Sequence, residues 1–252
     1  MTVRQDGIWR LSAFLAGAVN RLLPPGCVVC GMGVPPGPPV CKVCASRLAA
    51  IPRPHCPRCG ATTTSSLRSG TCDSCESWPT GLSAAASAVL YRPPADSLVA
   101  GLKYRGWTSL VPALGCLMVE PLRRIAGNQS VVLVPVPLDP LRRRRRGFNQ
   151  AALLAAELSR ATGLPCVEAI GRRSAARRQA ESGRIQRFEN VLRAFYWRSE
   201  LPLPSKTVVI IDDVLTTGAT AAACARISLE AGHDCRGVVT FGRALRRPDE
   251  AW

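Results

Sequence analysis

Residues Val208 to Thr220, reading VVIIDDVLTTGAT, admit few local structures. The β-branched run Val208 to Ile211 predicts a strand buried on both faces, as in a parallel sheet. Two adjacent carboxylates, Asp212 and Asp213, end the run. A short loop with two threonines and a glycine follows, then an alanine-rich helix over Thr220 to Ala231, stopped by Gly232. Such a unit aims loop N–H groups and a helix N-terminus at one spot, which suits a phosphate. The hydroxyls of Thr216, Thr217 and Thr220 add donors, and Gly218 lets the backbone approach closely. Acids beside an anion cradle suit a ligand with hydroxyls, or a metal, next to its phosphate; a ribose 5-phosphate has both halves. The plainer alternative is a parallel strand whose acids only cap the next helix.

The full pattern is a hydrophobic strand, two acids, two apolar residues, Thr-Thr-Gly, a spacer and Thr. It resembles the signature with which type I phosphoribosyltransferases bind 5-phosphoribosyl 1-pyrophosphate (PRPP). The resemblance implies that Asp212 and Asp213 hold the ribose hydroxyls and form the catalytic pair. It implies that Val214, Leu215, Thr216, Thr217, Gly218, Ala219 and Thr220 wrap the 5-phosphate, with Mg2+ accompanying PRPP.

A net charge of +16 on 252 residues points to an anionic partner, with pyrophosphate, nucleic acid and anionic lipid all open. No apolar run approaches the ~18 residues of a membrane helix, so no membrane span is expected. Ile8 to Leu22 predicts a helix with Trp9, Phe14, Val19 and Leu22 on one face. A signal peptide is the rival reading, but the apolar stretch is short, is followed by Asn20-Arg21 and lacks a cleavage site. A packing helix in a cytoplasmic protein is the expectation.

Eight of the twelve cysteines form four CxxC pairs, separated by ten, eleven and twelve residues. At CxxC spacing two thiolates reach one tetrahedral zinc from a tight turn, and two such knuckles close a four-thiolate site. Sequential pairing assigns Cys27, Cys30, Cys41 and Cys44 to one ion, and Cys56, Cys59, Cys72 and Cys75 to a second. An interleaved pairing is the alternative; the sequential one lets each ribbon fold locally. A disulfide framework fits a cytoplasmic chain poorly. His55 is left outside the ligand sets. Cys116, Cys166, Cys224 and Cys235 have no partner spacing and read as small core residues. The segment holds few large apolar residues, so two structural zinc ions would supply much of its folding free energy. Whether such ribbons bind nucleic acid, bind protein or act as struts is open from the sequence.

Trp78 to Ala86 has the composition of a linker. Ala88 to Tyr91 reads as a strand and Ala95 to Leu102 as a helix with Leu98, Val99 and Leu102 inward. Lys103 and Arg105 follow, either as a solvated helix end favoured by the macrodipole or as a cationic loop over pyrophosphate. Val131 to Val136 predicts a second buried strand. It breaks on Pro135, Val136, Pro137 and Leu138, a candidate pyrophosphate loop at the sheet's C-terminal edge, where open α/β sheets bind ligands. Five arginines follow, Arg142 to Arg146, then Gly147, Phe148, Asn149, Gln150 and a helix over Ala151 to Thr162. A charge run is usually solvated surface. Guanidinium groups also suit phosphates and Phe148 a stacked base, so Arg144, Arg145, Arg146, Phe148, Lys103 and Arg105 are candidate nucleic-acid or phosphate contacts. Val191 to Tyr196 and Gly237 to Phe241 read as further strands. The tail from Arg243 to Trp252 offers nothing decisive.

The segment VPVPLDPLRRRRRGFNQAALLAAEL resembles the ComF family, also called GntX-like, in its Val-Pro-Val-Pro loop and its Arg-Gly-Phe-Asn-Gln helix start. The double zinc ribbon, Leu102-Lys103-Tyr104 with Gly106, and Gln179 followed by Arg187, Asn190 and Phe195 match as well. Ser182 departs from the leucine usual there. The resemblance implies an α/β fold: a type I phosphoribosyltransferase-like parallel sheet flanked by helices, behind a small cysteine-rich domain. Three parts are expected, the helix in 1–25, a double zinc ribbon in 26–80 and a phosphoribosyltransferase-like domain in 81–252, and the resemblance implies a lid over Arg172 to Arg193. Two functions are expected: phosphoribosyl transfer to an unidentified acceptor, or a nucleotide- or single-stranded-DNA-binding role. Either would work beside other DNA-uptake proteins.

Overall fold

In the computed structural model, residues 26–34, 39–61, 72–76, 78, 82–174, 194–198 and 202–244 are described. The expected N-terminal helix, most of the expected lid with Gln179 and Arg187, and the tail after Ala244 lie outside them. The chain forms two compact units that divide between Arg47 and Leu48, inside the cysteine-rich stretch.

The first unit carries Cys27, Cys30, Cys41 and Cys44. Its knuckle closes through Gly31, whose N–H donates to the Cys27 carbonyl at 2.8 Å with φ at 75°. A one-turn helix, α1 (Lys42–Ser46), follows Cys41, and Cys27, Val34 and Cys44 form a small buried cluster.

The second unit opens with the other cysteine knuckles and the short helix α2 (Asp73–Glu76). Then come β1 (Ala85–Leu90), α3 (Ala95–Arg105), a 3-10 turn and α4 (Val111–Ala126). Next are β2 (Val132–Pro135), α5 (Pro140–Arg146), α6 (Gln150–Thr162) and the hairpin β3 (Ile170–Arg172) and β4 (Phe195–Trp197). The chain continues through β5 (Thr207–Leu215), α7 (Ala219–Glu230) and β6 (Asp234–Arg243).

Four strands pair in parallel in the order β1-β6-β5-β2. Helices α4 and α6 pack against the sheet, as does α7, which also meets β3 and β4. Val208, Val209, Ile210 and Ile211 are fully buried, which is why β5 shows no polar alternation. Beyond β2, the backbone of Pro165 and Val167 pairs with Leu133.

The described residues of the expected linker Trp78 to Ala86, namely Trp78 and those from Leu82 to Ala86, are packed into the fold. Trp78 is 7% exposed and belongs to the main core, and Ala85 and Ala86 already lie in β1. Of the four cysteines read as core, Cys224 and Cys235 are buried and Cys166 is half-buried. Cys116 is exposed, because it falls on the outer side of α4.

Candidate functional site

The site gathers at the C-terminal edge of the central strands. Strand β5 continues past the β-branched run through both acids to Leu215, paired along its length with β6. Residues 216 to 218 then turn, and Gly218, at φ 85°, is the N-cap of α7. The hydroxyl oxygen of Thr217 accepts the Ala219 N–H at 3.3 Å, while Thr216 and Thr217 are exposed. A side chain at 218 would be excluded twice over. Its φ is left-handed, and an added Cβ would stand 2.6 Å from the Trp78 ring.

Successive strand residues project to opposite faces, and the two acids differ accordingly. Asp213 is 3% exposed and pairs with the Lys103 ammonium at 2.8 Å, while its Oδ2 is buried without a hydrogen-bond partner. Asp212 is half-buried, and its Oδ1 accepts the Asp213 N–H at 2.8 Å. Burial first, and the neighbouring Asp213 charge second, push the Asp212 carboxyl up to about 8. The Lys103 and Arg172 charges only partly oppose this rise.

The candidate pyrophosphate loop lies alongside. Pro135 pairs with Ile211, and the Val136 N–H donates to the Ile211 carbonyl at 2.9 Å, which extends the ladder past β2. Buried Asn149 caps α6 by accepting the Ala151 N–H, and its Nδ2 donates to the Val136 carbonyl at 2.9 Å. Pro137 and Leu138 are half-buried.

The arginine run is a helix. Asp139 accepts the N–H groups of Leu141 and Arg142, Pro140 occupies the first turn, and Gly147 ends α5 in the left-handed region. Arg144 and Arg145 are exposed. Arg146 bonds to Gln150 and places its guanidinium 5.7 Å from the ring centre of Tyr104, which is 80% exposed. Arg105 lies over Trp107 at 4.9 Å, and Phe148 is half-buried. Among the candidate cations, Lys103 thus meets Asp213, Arg105 meets Trp107, and Arg146 meets both Gln150 and Tyr104.

Both cysteine sets are assembled sequentially, with all four sulfurs of each within 4.8 Å of one another. Sulfur pairs stand 3.8 Å apart for Cys30–Cys41, 3.7 Å for Cys56–Cys75 and 3.5 Å for Cys59–Cys72. A tetrahedron with bonds of ~2.3 Å has an edge of about 3.8 Å; both sets have the donors and spacing of structural zinc sites. Burial pushes the Cys44 thiol up to about 12. The Cys27 thiol, which burial also raises, is brought down to about 6 by the N–H groups of Cys41, Cys30 and Val29. Zinc would hold all four as thiolates.

A family model described as "Double zinc ribbon domain" matches residues 18–76. The "DNA utilization protein YhgH" of Escherichia coli O157:H7 is 38% identical over 201 residues, covering 77% of this chain and 85% of that protein. The chain belongs to the ComF family. The "Competence protein ComFC" of Bacillus subtilis (strain 168) is 28% identical, covering 78% of this chain and 80% of that protein. ComFC of Streptococcus pneumoniae (strain ATCC BAA-255 / R6) is also 28% identical, covering 80% and 86%.

In this ComF chain Arg105 lies over Trp107, whereas Lys103 pairs with Asp213. Sequence reasoning overlooks Arg243, which reads as the start of an uninformative tail. It is 4% exposed, and its guanidinium donates to the carbonyls of Cys59, Leu215, Thr216 and Ala244. The available signal is an arginine placed directly after the uncharged run Gly237 to Gly242 of β6. Trp78 is missed too, although a large aromatic three residues after Cys75 is a packing signal.

Proposed function

We propose that the β5–α7 site binds PRPP and transfers its phosphoribosyl group to an acceptor, as an enzyme used in the handling of DNA. The observation that carries this reading is the pair of unequal acids beside a helix N-terminus that opens on a left-handed glycine. The turn and the first N–H groups of α7 suit the 5-phosphate. The unpartnered Oδ2 of Asp213 is an acceptor in want of a hydroxyl or a cation. Asp212 and Asp213 would orient the ribose through its hydroxyls. The Pro135–Leu138 loop, held by Asn149, would border the pyrophosphate, with Lys103 as the cation paired to Asp213.

Magnesium fits this donor set, since carboxylate oxygens are hard ligands and one is buried with spare capacity. Asp212 and Asp213 would hold it, directly or through water. Bound there, the ion would neutralise the leaving pyrophosphate. Lys103 would then be released from its ion pair toward the anionic end of the ligand.

The names of the relatives, DNA utilization and competence, support a role in DNA uptake or use. A second reading, a nucleotide- or single-stranded-DNA-binding protein without turnover, draws on the exposed arginines of α5 and on Tyr104. Base stacking on a ring and backbone contacts to guanidinium groups are how single strands are held.

Calorimetry with PRPP and Mg2+ tests the site. Binding should be lost in the double variant Asp212→Asn/Asp213→Asn while its circular dichroism is unchanged; equal affinity in the two proteins would remove the proposal. Pyrophosphate release with bases, amines or single-stranded DNA as acceptor then separates an enzyme from a binding protein.

A further inference from the structure

The second cysteine set and the turn at 216–218 are joined by two side chains. Arg243 closes β6. Its Nε donates to the Cys59 carbonyl at 3.1 Å and its Nη2 lies 3.9 Å from the Cys59 sulfur. Its Nη1 donates to the carbonyls of Leu215, at 3.1 Å, and Thr216. Trp78 makes the second link. Its backbone N–H donates to the carbonyl of the ligand Cys75 at 3.1 Å, and its indole Nε1 donates to the Thr217 carbonyl at 3.3 Å. Arg58 braces this arm, donating to the carbonyls of Cys75 and Leu82, with its guanidinium 5.7 Å from the Trp78 ring centre.

Three consecutive carbonyls, those of Leu215, Thr216 and Thr217, are therefore held from the side of the cysteines. In a planar trans peptide the N–H points opposite to the C=O. Holding these three oxygens turns the N–H groups of Thr216, Thr217 and Gly218 to the other side. Those are the donors an anion cradle needs.

We propose that the second four-cysteine site is the rigid base of the phosphate turn, and that Arg243 and Trp78 are positioning residues that transmit its geometry. The ligand affinity of the turn then depends on whether that site is filled with metal. This inference rests on the PRPP reading for the identity of the ligand, though not for the strut. Partners just outside a metal's ligands typically alter metal affinity or activity about 10- to 100-fold, so a tenfold or larger effect is expected here.

The test uses the full chain with Arg243→Lys, which keeps the charge but loses the fork, and Trp78→Phe, which keeps the ring but loses the donor. Metal content, backbone amide order parameters and PRPP affinity are measured for each and for the double variant. The variants should retain two zinc equivalents. The order parameters of Thr216 to Gly218 should fall from about 0.85 toward 0.6 or below, while those of Val208 to Ile211 stay put. PRPP should bind at least about tenfold more weakly. Removing metal from the wild-type chain should loosen the same three amides.

An unchanged turn in both variants would overturn the proposal. So would a loss of order shared with β5, the mark of a merely structural role, or a loosened turn with PRPP affinity intact. If the wild-type chain fails to bind PRPP while the turn still loosens as stated, the PRPP reading falls and the strut stands.

Discussion

Asp212 sits where the sheet needs apolar side chains and the ligand needs a carboxylate, and its titration records the conflict. Its ordinary pKa in an unfolded chain is near 3.9, and in the fold burial and Asp213 carry it to about 8. Between those values the folded chain keeps a proton that the unfolded chain has released. Its stabilising contribution is complete below about pH 4 and is lost as pH rises through about 8. Asp212→Asn, without ligand, should therefore melt above the wild type by a margin that widens from about pH 5 to about pH 9. Parallel melting profiles for the two proteins would contradict the raised pKa. Asp213, on the other face of the strand, is held by the Lys103 ammonium at 2.8 Å. Removing Lys103 alone would leave a buried carboxylate unpaired, the costly way to break such a contact.

Helix α5 shows how punctuation can decide an element that composition argues against. Like charges four apart on a helix repel, and a run of five arginines reads more easily as solvated coil. Asp139 at the cap, Pro140 in the first turn and Gly147 at the end prevail. If the exposed run meets single-stranded DNA, each phosphate contact adds about 0.7 to the slope of log affinity against log salt. Arg142, Arg144 and Arg145 changed together to alanine should weaken binding and flatten that slope by roughly 2; an unaltered slope would make α5 a solvated face. Most elements were legible because their signals are local. The β-branched run marks β5, Gly163 closes α6, and the inward trio Leu98, Val99 and Leu102 is fully buried. The sequence reading ends β5 four residues early, because its acids look like an end, yet pairing with β6 continues to Leu215↔Arg243. Helix α4 was not anticipated, since Pro112, Gly115 and Pro121 mask the apolar face of Leu114, Met118, Leu122 and Ile125. Arg243 was illegible for a different reason. Its partner Cys59 is 184 residues away, and no local pattern encodes that encounter.

At the scale of the molecule, the two four-cysteine sets lie in two compact units, and only the second unit contains the sheet. Metal analysis of the purified chain should give two zinc equivalents, bound through eight thiolates. Chelation should lower the melting temperature of the unit that holds the sheet as well as that of the first, because Cys56, Cys59 and Cys75 belong to the main core. A value near zero equivalents, with the cysteines oxidised in pairs, would refute both sites. The segment around the second set has another neighbour. Strand β1 is an edge of the sheet, and two of its N–H groups are taken by that segment: Ala85 donates to the Arg58 carbonyl and Leu90 to the Ala49 carbonyl. An uncovered strand edge is a template for pairing with another chain. Stripped of metal, the segment would release those N–H groups, and β1 would be open to its counterpart on a second molecule. The metal-free chain would then be lost to self-association, at a rate set by protein concentration, before it is lost to unfolding.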